Sequence, residues 1–125
     1  MAVKVINASA LAALLFGEPE ADQVAGRLAA FRLVAPALLG FELANVCLIK
    51  CRRHPDQNDV LRAALSLRSR LQVEEIAVDH DESLALAATT GLTAYDASYL
   101  WLARCLDAEL VTLDRQLGRA AAKLG

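Results

Sequence analysis

The stretch GLTAYDASYLWLARCLDAELVTLDRQL, residues 91–117, decides how this chain folds. Its apolar spacing predicts a loop, an amphipathic helix, a short strand at residues 110–113 and the start of another helix. Asp96 lies one turn inside the first of these helices, and Asp114 follows the strand directly. Sites in parallel α/β sheets form beyond the carboxyl ends of the strands, so the two acids form a candidate metal site.

Strand and helix patterns alternate through the rest of the chain. Short apolar runs predict three further strands at residues 3–6, 33–35 and 75–78. Helical patterns lie between them at residues 8–15, 18–30, 37–53, 56–72 and 81–89, with Pro36 expected at the first position of the third helix. This alternation predicts an α/β fold, a three-layer α/β/α domain with a central parallel sheet, over residues 1–125.

Composition narrows the class of protein. Hydrophobic residues make up 56% of the chain, which favours strands that are covered on both faces. Polar residues and prolines interrupt every apolar run before it could span a membrane, and the N-terminus lacks a convincing signal peptide, so we expect a cytoplasmic protein. The three cysteines do not match zinc spacing and are interpreted as buried, reduced thiols. A net charge of −2 excludes a generally basic nucleic-acid coat but allows local basic patches.

Polar side chains gather where the predicted strands end. Strand ends fall at Asn7, Ala35, Asp79 and Asp114, and two helices add Glu42 and Asp96. Adjacent carboxylates resist joint ionisation unless a cation compensates them. Hard oxygen ligands without Cys or His partners indicate Mg²⁺ or Mn²⁺, ions that activate water in phosphoryl chemistry.

Each of these residues also has a purely structural interpretation. Asp96 lies three residues after Thr93, a spacing close to a capping box, while Asn7 and Asp114 are good helix N-caps. Glu42 favours the functional interpretation, because a carboxylate within the apolar run LLGFELANV needs a partner. Asn45 lies on the same helix face as Glu42. No Lys or Arg stands one turn away on this face, so the partner of Glu42 must come from elsewhere in the fold.

Three segments resemble the PIN-domain ribonucleases of the VapC toxin type. They are VINASALAALLFGEPE, LVAPALLGFELANV and GLTAYDASYLWLARCLDAELVTLDRQL, in family order and with family spacing over nearly the whole chain. The resemblance implies a Mg²⁺- or Mn²⁺-dependent endoribonuclease that cleaves RNA with metal-activated water. It also implies a homodimer that a cognate antitoxin neutralises.

The resemblance assigns the family's acidic site to Asn7, Glu42, Asp96 and Asp114. The family has Asp at the first of these positions, so Asn7 removes one negative charge and implies weakened activity. Ser9 matches a small hydroxyl position near the site. Thr112 is a second possible supporting residue, for which we favour packing, and Asn45 is a third.

Other interpretations remain open beside the nuclease. One is a catalytically inactive PIN-like protein that still binds its antitoxin. A phosphoaspartate receiver domain or a phosphatase with an Asp-x-Asp motif is excluded, because the first strand ends in Asn7-Ala8-Ser9 without an early acidic pair. Tyr95, Tyr99 and Trp101 suit base stacking, but the last two are expected in the core or at a dimer surface. That aromatic helix supports the homodimer.

Overall fold

Four short parallel strands form the central sheet of the computed structural model, which describes residues 2–124. They are β1 (Val3–Ile6), β2 (Arg32–Pro36), β3 (Glu74–Ile76) and β4 (Glu109–Val111). Their order in the sheet is β3-β2-β1-β4, so β1 lies between β2 and β4 and the chain fills the sheet outward from β1. Since all strands run the same way, their carboxyl ends share one edge of the sheet.

Within residues 2–124, seven α-helices connect and cover the strands, giving the predicted three-layer α/β/α arrangement. They are α1 (Ala8–Leu15), α2 (Ala21–Leu28), α3 (Leu39–Arg53), α4 (Asn58–Ser66), α5 (His80–Thr90), α6 (Ala94–Leu106) and α7 (Arg115–Leu124). Two 3₁₀ helices, Pro55–Gln57 and Leu67–Leu71, flank α4. No helix within residues 2–124 is long and apolar enough to cross a membrane.

The core is built around β1, α1 and α6. Six residues of α6 are buried, and β1 contributes Val5 and Ile6 without exposed surface. By contrast, α4 has no fully buried residue.

Lys4 is buried in β1, but its ammonium group has partners. Its Nζ donates to the Arg27 carbonyl, pairs with Glu109 at 3.2 Å and lies 3.8 Å from the Phe31 ring centre. The side of the molecule that carries β1 and α6 is therefore the more firmly packed one.

Pro36 corrects the predicted start of the third helix. It is the last residue of β2, opposite Ile76, and the next residue, Ala37, still donates to the Ile76 carbonyl at 2.9 Å. This interstrand bond keeps the backbone extended, so the helix begins only at Leu39. The prediction of one helix over residues 56–72 is also wrong. This segment forms a 3₁₀ turn, α4 and a second 3₁₀ turn, which Gln72 ends with a left-handed backbone conformation at φ 53°.

The cysteines only partly match the prediction of buried thiols. All three are free; Cys47 is buried, Cys51 is half-buried and Cys105 is exposed. The prediction is wrong for Cys105, because α6 ends at Leu106 and its last turn extends beyond the core. Cys47 and Cys51 lie 4.0 Å apart at their sulfurs, as expected for residues one turn apart on α3.

Candidate functional site

Asn7 connects the end of β1 to the loop after β4. Its side chain is 4% exposed, and its Oδ1 accepts from the Ser9 amide at 3.2 Å, the Ser9 hydroxyl at 2.7 Å and the Thr112 hydroxyl at 3.0 Å. It is also the N-cap of α1. The capping interpretation of Asn7 is thus correct, and the same oxygen joins two neighbouring strand ends.

Hydrogen-bond chemistry fixes the orientation of the Asn7 amide. The backbone N–H of Ser9 can only donate, so the atom facing it must be the carbonyl oxygen. Both hydroxyls accept from backbone N–H groups on their other side, Ser9 from Leu113 at 2.9 Å and Thr112 from Asp114 at 3.0 Å. Each hydroxyl then has its proton free for Asn7. Three donors occupy this oxygen, and the Nδ2 group occupies the other side of the amide.

Glu42 has the partner from elsewhere in the fold that its apolar segment requires. The Tyr99 hydroxyl donates to Glu42 Oε1 at 2.6 Å, although the two residues are 57 positions apart. Burial raises the pKa of the Glu42 carboxyl, with a smaller rise from the Asp96 charge, and the Tyr99 hydrogen bond opposes both. Burial, followed by the bond to Glu42, raises the pKa of Tyr99, while a backbone hydrogen bond at Ala8 lowers it. The phenol therefore links α6 to Glu42 on α3.

Asp96 interacts electrostatically with both other acids: its charge acts on Glu42, and the charge of Asp114 acts on it. It is half-buried in the first turn of α6, where its backbone N–H donates to Thr93 Oγ1 at 3.1 Å. Burial raises the pKa of its carboxyl, the Asp114 charge adds to the rise, and the Thr93 hydroxyl, acting as a donor toward the carboxyl, lowers it. Asp114 is exposed and caps α7, since its Oδ1 accepts from Leu117 N–H at 2.8 Å. Asp114 thus fulfils the capping interpretation, whereas the cap at the start of α6 is Thr93, which accepts the Asp96 N–H.

A divalent cation suits this site in charge and donor type. Glu42, Asp96 and Asp114 supply hard carboxylate oxygens, and the raised pKa values of the first two reflect repulsion and burial that a cation would relieve. Two observations oppose the fit. No three His, Cys, Asp or Glu residues within 2–124 are grouped closely enough to hold a metal, and Asn7 Oδ1 is already occupied by three donors.

The supporting residues differ from one another in their placement. Ser9 and Thr112 both belong to the Asn7 network, and their hydroxyls lie 3.3 Å apart. The hydroxyl of Thr112 makes structural hydrogen bonds on two sides, to Asn7 and from Asp114 N–H, and whether it also contacts a ligand stays a prediction. Asn45 is exposed and makes no side-chain hydrogen bond within residues 2–124, one turn beyond the half-buried Glu42.

Tyr99 is the residue of this site that sequence reasoning placed elsewhere. It is fully buried, so its expected place in the core is correct but its contribution to an exposed dimer surface is wrong. The pairing of Tyr99 with Glu42 could have been inferred from chemistry. A buried tyrosine hydroxyl needs a hydrogen-bond partner, and the sequence also had a glutamate in an apolar segment without a partner. Trp101 is half-buried and donates to Glu82 at 3.0 Å, whereas Tyr95 is 66% exposed.

Comparison with known proteins agrees with this architecture. The PIN domain family model matches residues 4–123. The crystal structure of PAE2754 from Pyrobaculum aerophilum superposes with a TM-score of 0.76 at 25% identity, covering 98% of this chain and 92% of that one. The chain belongs to the PIN-domain family.

Relatives in that family place the chain more narrowly. Ribonuclease VapC3 of Pyrobaculum aerophilum is 33% identical over 118 residues, which cover 90% of each chain. Ribonuclease VapC9 of Mycobacterium tuberculosis is 35% identical over 118 residues, covering 90% of this chain and 87% of the relative. The chain is thus a PIN-domain protein of the VapC type.

Proposed function

We propose that this protein is a Mg²⁺- or Mn²⁺-dependent endoribonuclease and the toxin component of a type II toxin–antitoxin system. The observation that carries the proposal is the pair Glu42 and Asp96, two carboxylates whose pKa values are raised by burial and by neighbouring charge. Perturbed carboxyl groups beyond the carboxyl ends of parallel strands are typical of functional sites. The names of the VapC ribonuclease relatives support the same class of reaction.

In this proposal Glu42, Asp96 and Asp114 would hold the cation, which would have to draw together carboxylates that are not grouped for metal binding within residues 2–124. A bound Mg²⁺ or Mn²⁺ supplies activation of water and charge stabilisation at the scissile phosphate. The protein supplies orientation. Tyr99 holds one oxygen of Glu42, and Thr93 and Thr112 accept the backbone N–H groups of Asp96 and Asp114. The Tyr99 bond limits the rotamers of Glu42, and the two threonine bonds fix the backbone that carries Asp96 and Asp114.

Asn7 weakens the proposed site. Because its Oδ1 is used by Ser9 and Thr112, the group left for the cleft is an amide N–H₂, which can donate but cannot bind a cation. The same observation favours a second candidate function, an inactive PIN-domain protein that still binds its antitoxin. The two candidates differ in metal binding and cleavage.

Exposed apolar side chains support the proposed protein partners. Phe41 is 86% exposed at the start of α3, and Leu48 and Ile49 are 43% and 41% exposed further along it. A run of such residues on one helix favours a covered surface, in keeping with a homodimer and an antitoxin segment. Sedimentation of the purified chain should give a dimer at micromolar concentration, and a monomer alone would contradict this part of the proposal.

An RNA cleavage assay tests the enzymatic proposal. The wild-type chain is incubated with a broad panel of single-stranded and structured RNAs in Mg²⁺, in Mn²⁺ and in EDTA. We expect weak cleavage that requires the metal and is abolished by Asp96→Asn, a matched change that removes charge but preserves shape. Cleavage that persists in EDTA, or in Asp96→Asn, would contradict the proposed mechanism.

A further inference from the structure

A cavity of about 440 Å³ lies on the β2–β3 side of the sheet. It begins just after these two strands and reaches the first turns of α5 and α6. Its wall is formed by Ala37, Leu38, Ala77, Val78, His80, Ser83, Ala94, Tyr95 and Ser98. The cavity thus opens at the same edge of the sheet as the acids.

One polar group in this wall has no partner. Ser83 is 3% exposed, and its Oγ is the single buried side-chain N or O atom in residues 2–124 without a hydrogen bond. Ser98 differs, since its hydroxyl donates to the Tyr95 carbonyl at 2.5 Å. Buried hydroxyls are nearly always paired, because an unpaired one destabilises the fold. The Ser83 hydroxyl therefore has free capacity both to donate and to accept.

An aromatic ring stands at the same cavity. Tyr95 is 66% exposed although it belongs to the wall, so most of its ring is open to solvent. Aromatic rings beside a cavity allow unstacked bases of single-stranded RNA to stack, while hydroxyls inside it read the base edges. An apolar protein side chain would also stack on the ring but would leave the Ser83 hydroxyl unpaired. The pair of groups favours a nucleobase.

The cavity and the acids share backbone elements. Tyr95 precedes Asp96 in the first turn of α6, and the N–H of Glu42 donates to the carbonyl of Leu38, a wall residue, at 3.2 Å. A base held here would therefore bring its attached phosphate toward the carboxylates. We infer that this cavity is a subsite for one unstacked base of single-stranded RNA, with Tyr95 as the stacking platform and Ser83 as the base-edge contact. The inference rests on the proposed ribonuclease function.

Binding in EDTA tests the subsite without the need for cleavage. The probes are four single-stranded tetraribonucleotides, one for each base, titrated into the full chain by calorimetry. Tyr95→Leu should weaken the preferred tetranucleotide by roughly 5- to 150-fold, whereas Tyr95→Phe should bind like wild type because it keeps the ring. Ser83→Ala should reduce the preference among bases by about 2- to 10-fold. Leu84→Ala, an exposed neighbour outside the cavity wall, is the control and should change nothing.

Thermal melting separates a functional serine from a structural one. Ser83→Ala should melt at the same temperature or higher, because it removes an unpaired buried hydroxyl. A clear drop in melting temperature together with unchanged base preference would assign Ser83 to folding and overturn the inference. Equal affinity of wild type, Tyr95→Leu and Ser83→Ala for all four probes would overturn it too.

Cleavage assays keep this inference apart from the proposed function. If Asn7→Asp cleaves RNA but Tyr95→Leu leaves its base preference unchanged, the subsite is wrong and the nuclease stands. If the probes bind through Tyr95 but no variant cleaves in any metal, the nuclease is wrong and the subsite stands. Loss of antitoxin affinity in Tyr95→Leu with full RNA affinity would assign the cavity to a protein side chain and overturn the inference.

Discussion

Replacing Asn7 by Asp changes one group in the proposed metal site and leaves its framework in place. Oδ1 would keep its bonds to the Ser9 amide, the Ser9 hydroxyl and the Thr112 hydroxyl. These bonds would strengthen, because their acceptor becomes charged. The other atom changes most: an N–H₂ donor becomes a carboxylate oxygen that can bind a cation directly or through water.

The change should act in opposite directions with and without metal. In EDTA a fourth negative charge joins Glu42, Asp96 and Asp114 in a site where position 7 is 4% exposed, so stability should fall by about 1–3 kcal/mol. For a chain of this size, that corresponds to a decrease of roughly 3–12 °C in melting temperature. With Mg²⁺ or Mn²⁺ the added charge should improve affinity by at least about tenfold, or 1.4 kcal/mol. Cleavage should rise by about a hundredfold as the metal is better positioned.

Three measurements on the same preparations check these magnitudes: melting in EDTA and in Mg²⁺, Mn²⁺ titration by calorimetry, and cleavage of the RNA panel. Expression without an antitoxin should become toxic. The control adds Asp96→Asn to Asn7→Asp, which should abolish the gains in affinity and cleavage while the fold persists. If Asn7→Asp alters neither metal affinity nor cleavage, Asn7 is only a helix cap, and the proposed site lacks its first position.

Three further predictions concern the neighbours of this site. Tyr99→Phe removes the hydrogen bond that opposes the raised pKa of Glu42, so the pKa of Glu42 should rise further. The curve of Mn²⁺ affinity against pH should therefore move to higher pH. An unchanged curve would show that the phenol does not act on Glu42. Thr112→Val should lower the free energy of urea unfolding by about 1–3 kcal/mol, because Asp114 N–H and Asn7 Oδ1 each lose a partner, and Thr112→Ser should restore most of it. In EDTA, stability should fall as pH rises from about 4 through the raised pKa values of Glu42 and Asp96, because the folded state holds more protons than the unfolded state in that window. Asp96→Asn should flatten that slope, and an identical slope would place its source elsewhere.

The order and type of the elements could be predicted because they rest on local patterns. The runs 3–6 and 8–15 match β1 and α1 at both ends, since a β-branched strand and an alanine-rich helix meet at a capping Asn7. Pro36 could not be placed from local preference alone. Its position depends on the bond from Ala37 to the Ile76 carbonyl, which joins segments 39 residues apart in the sequence. Long-range pairing of this kind overrides the preference of proline for the start of a helix.

The site was predicted unevenly for the same reason. Local spacing indicated a capping box from Thr93 to Asp96 and an N-cap at Asp114; in the structure Thr93 caps the Asp96 N–H and Asp114 caps α7. The partner of Glu42 lies on another helix, so periodicity could show that one was needed but not that it is Tyr99. Thr112 depends on the contact between β1 and β4, which brings Asn7 beside it across 105 positions. Whether position 7 binds a metal stays a prediction.

The uneven burial of the helices also determines where amide hydrogens should exchange first. α4 has no fully buried residue, and β3 is a three-residue strand at the edge of the sheet. Segments with little buried surface open locally, at free energies well below that of global unfolding. Amides of α4 and β3 should therefore exchange within partial openings, and proteases should cut there first. Amides of β1 and α6 should exchange only when the whole domain unfolds, so the backbone that carries Asn7 and Asp96 belongs to its slowest-exchanging part.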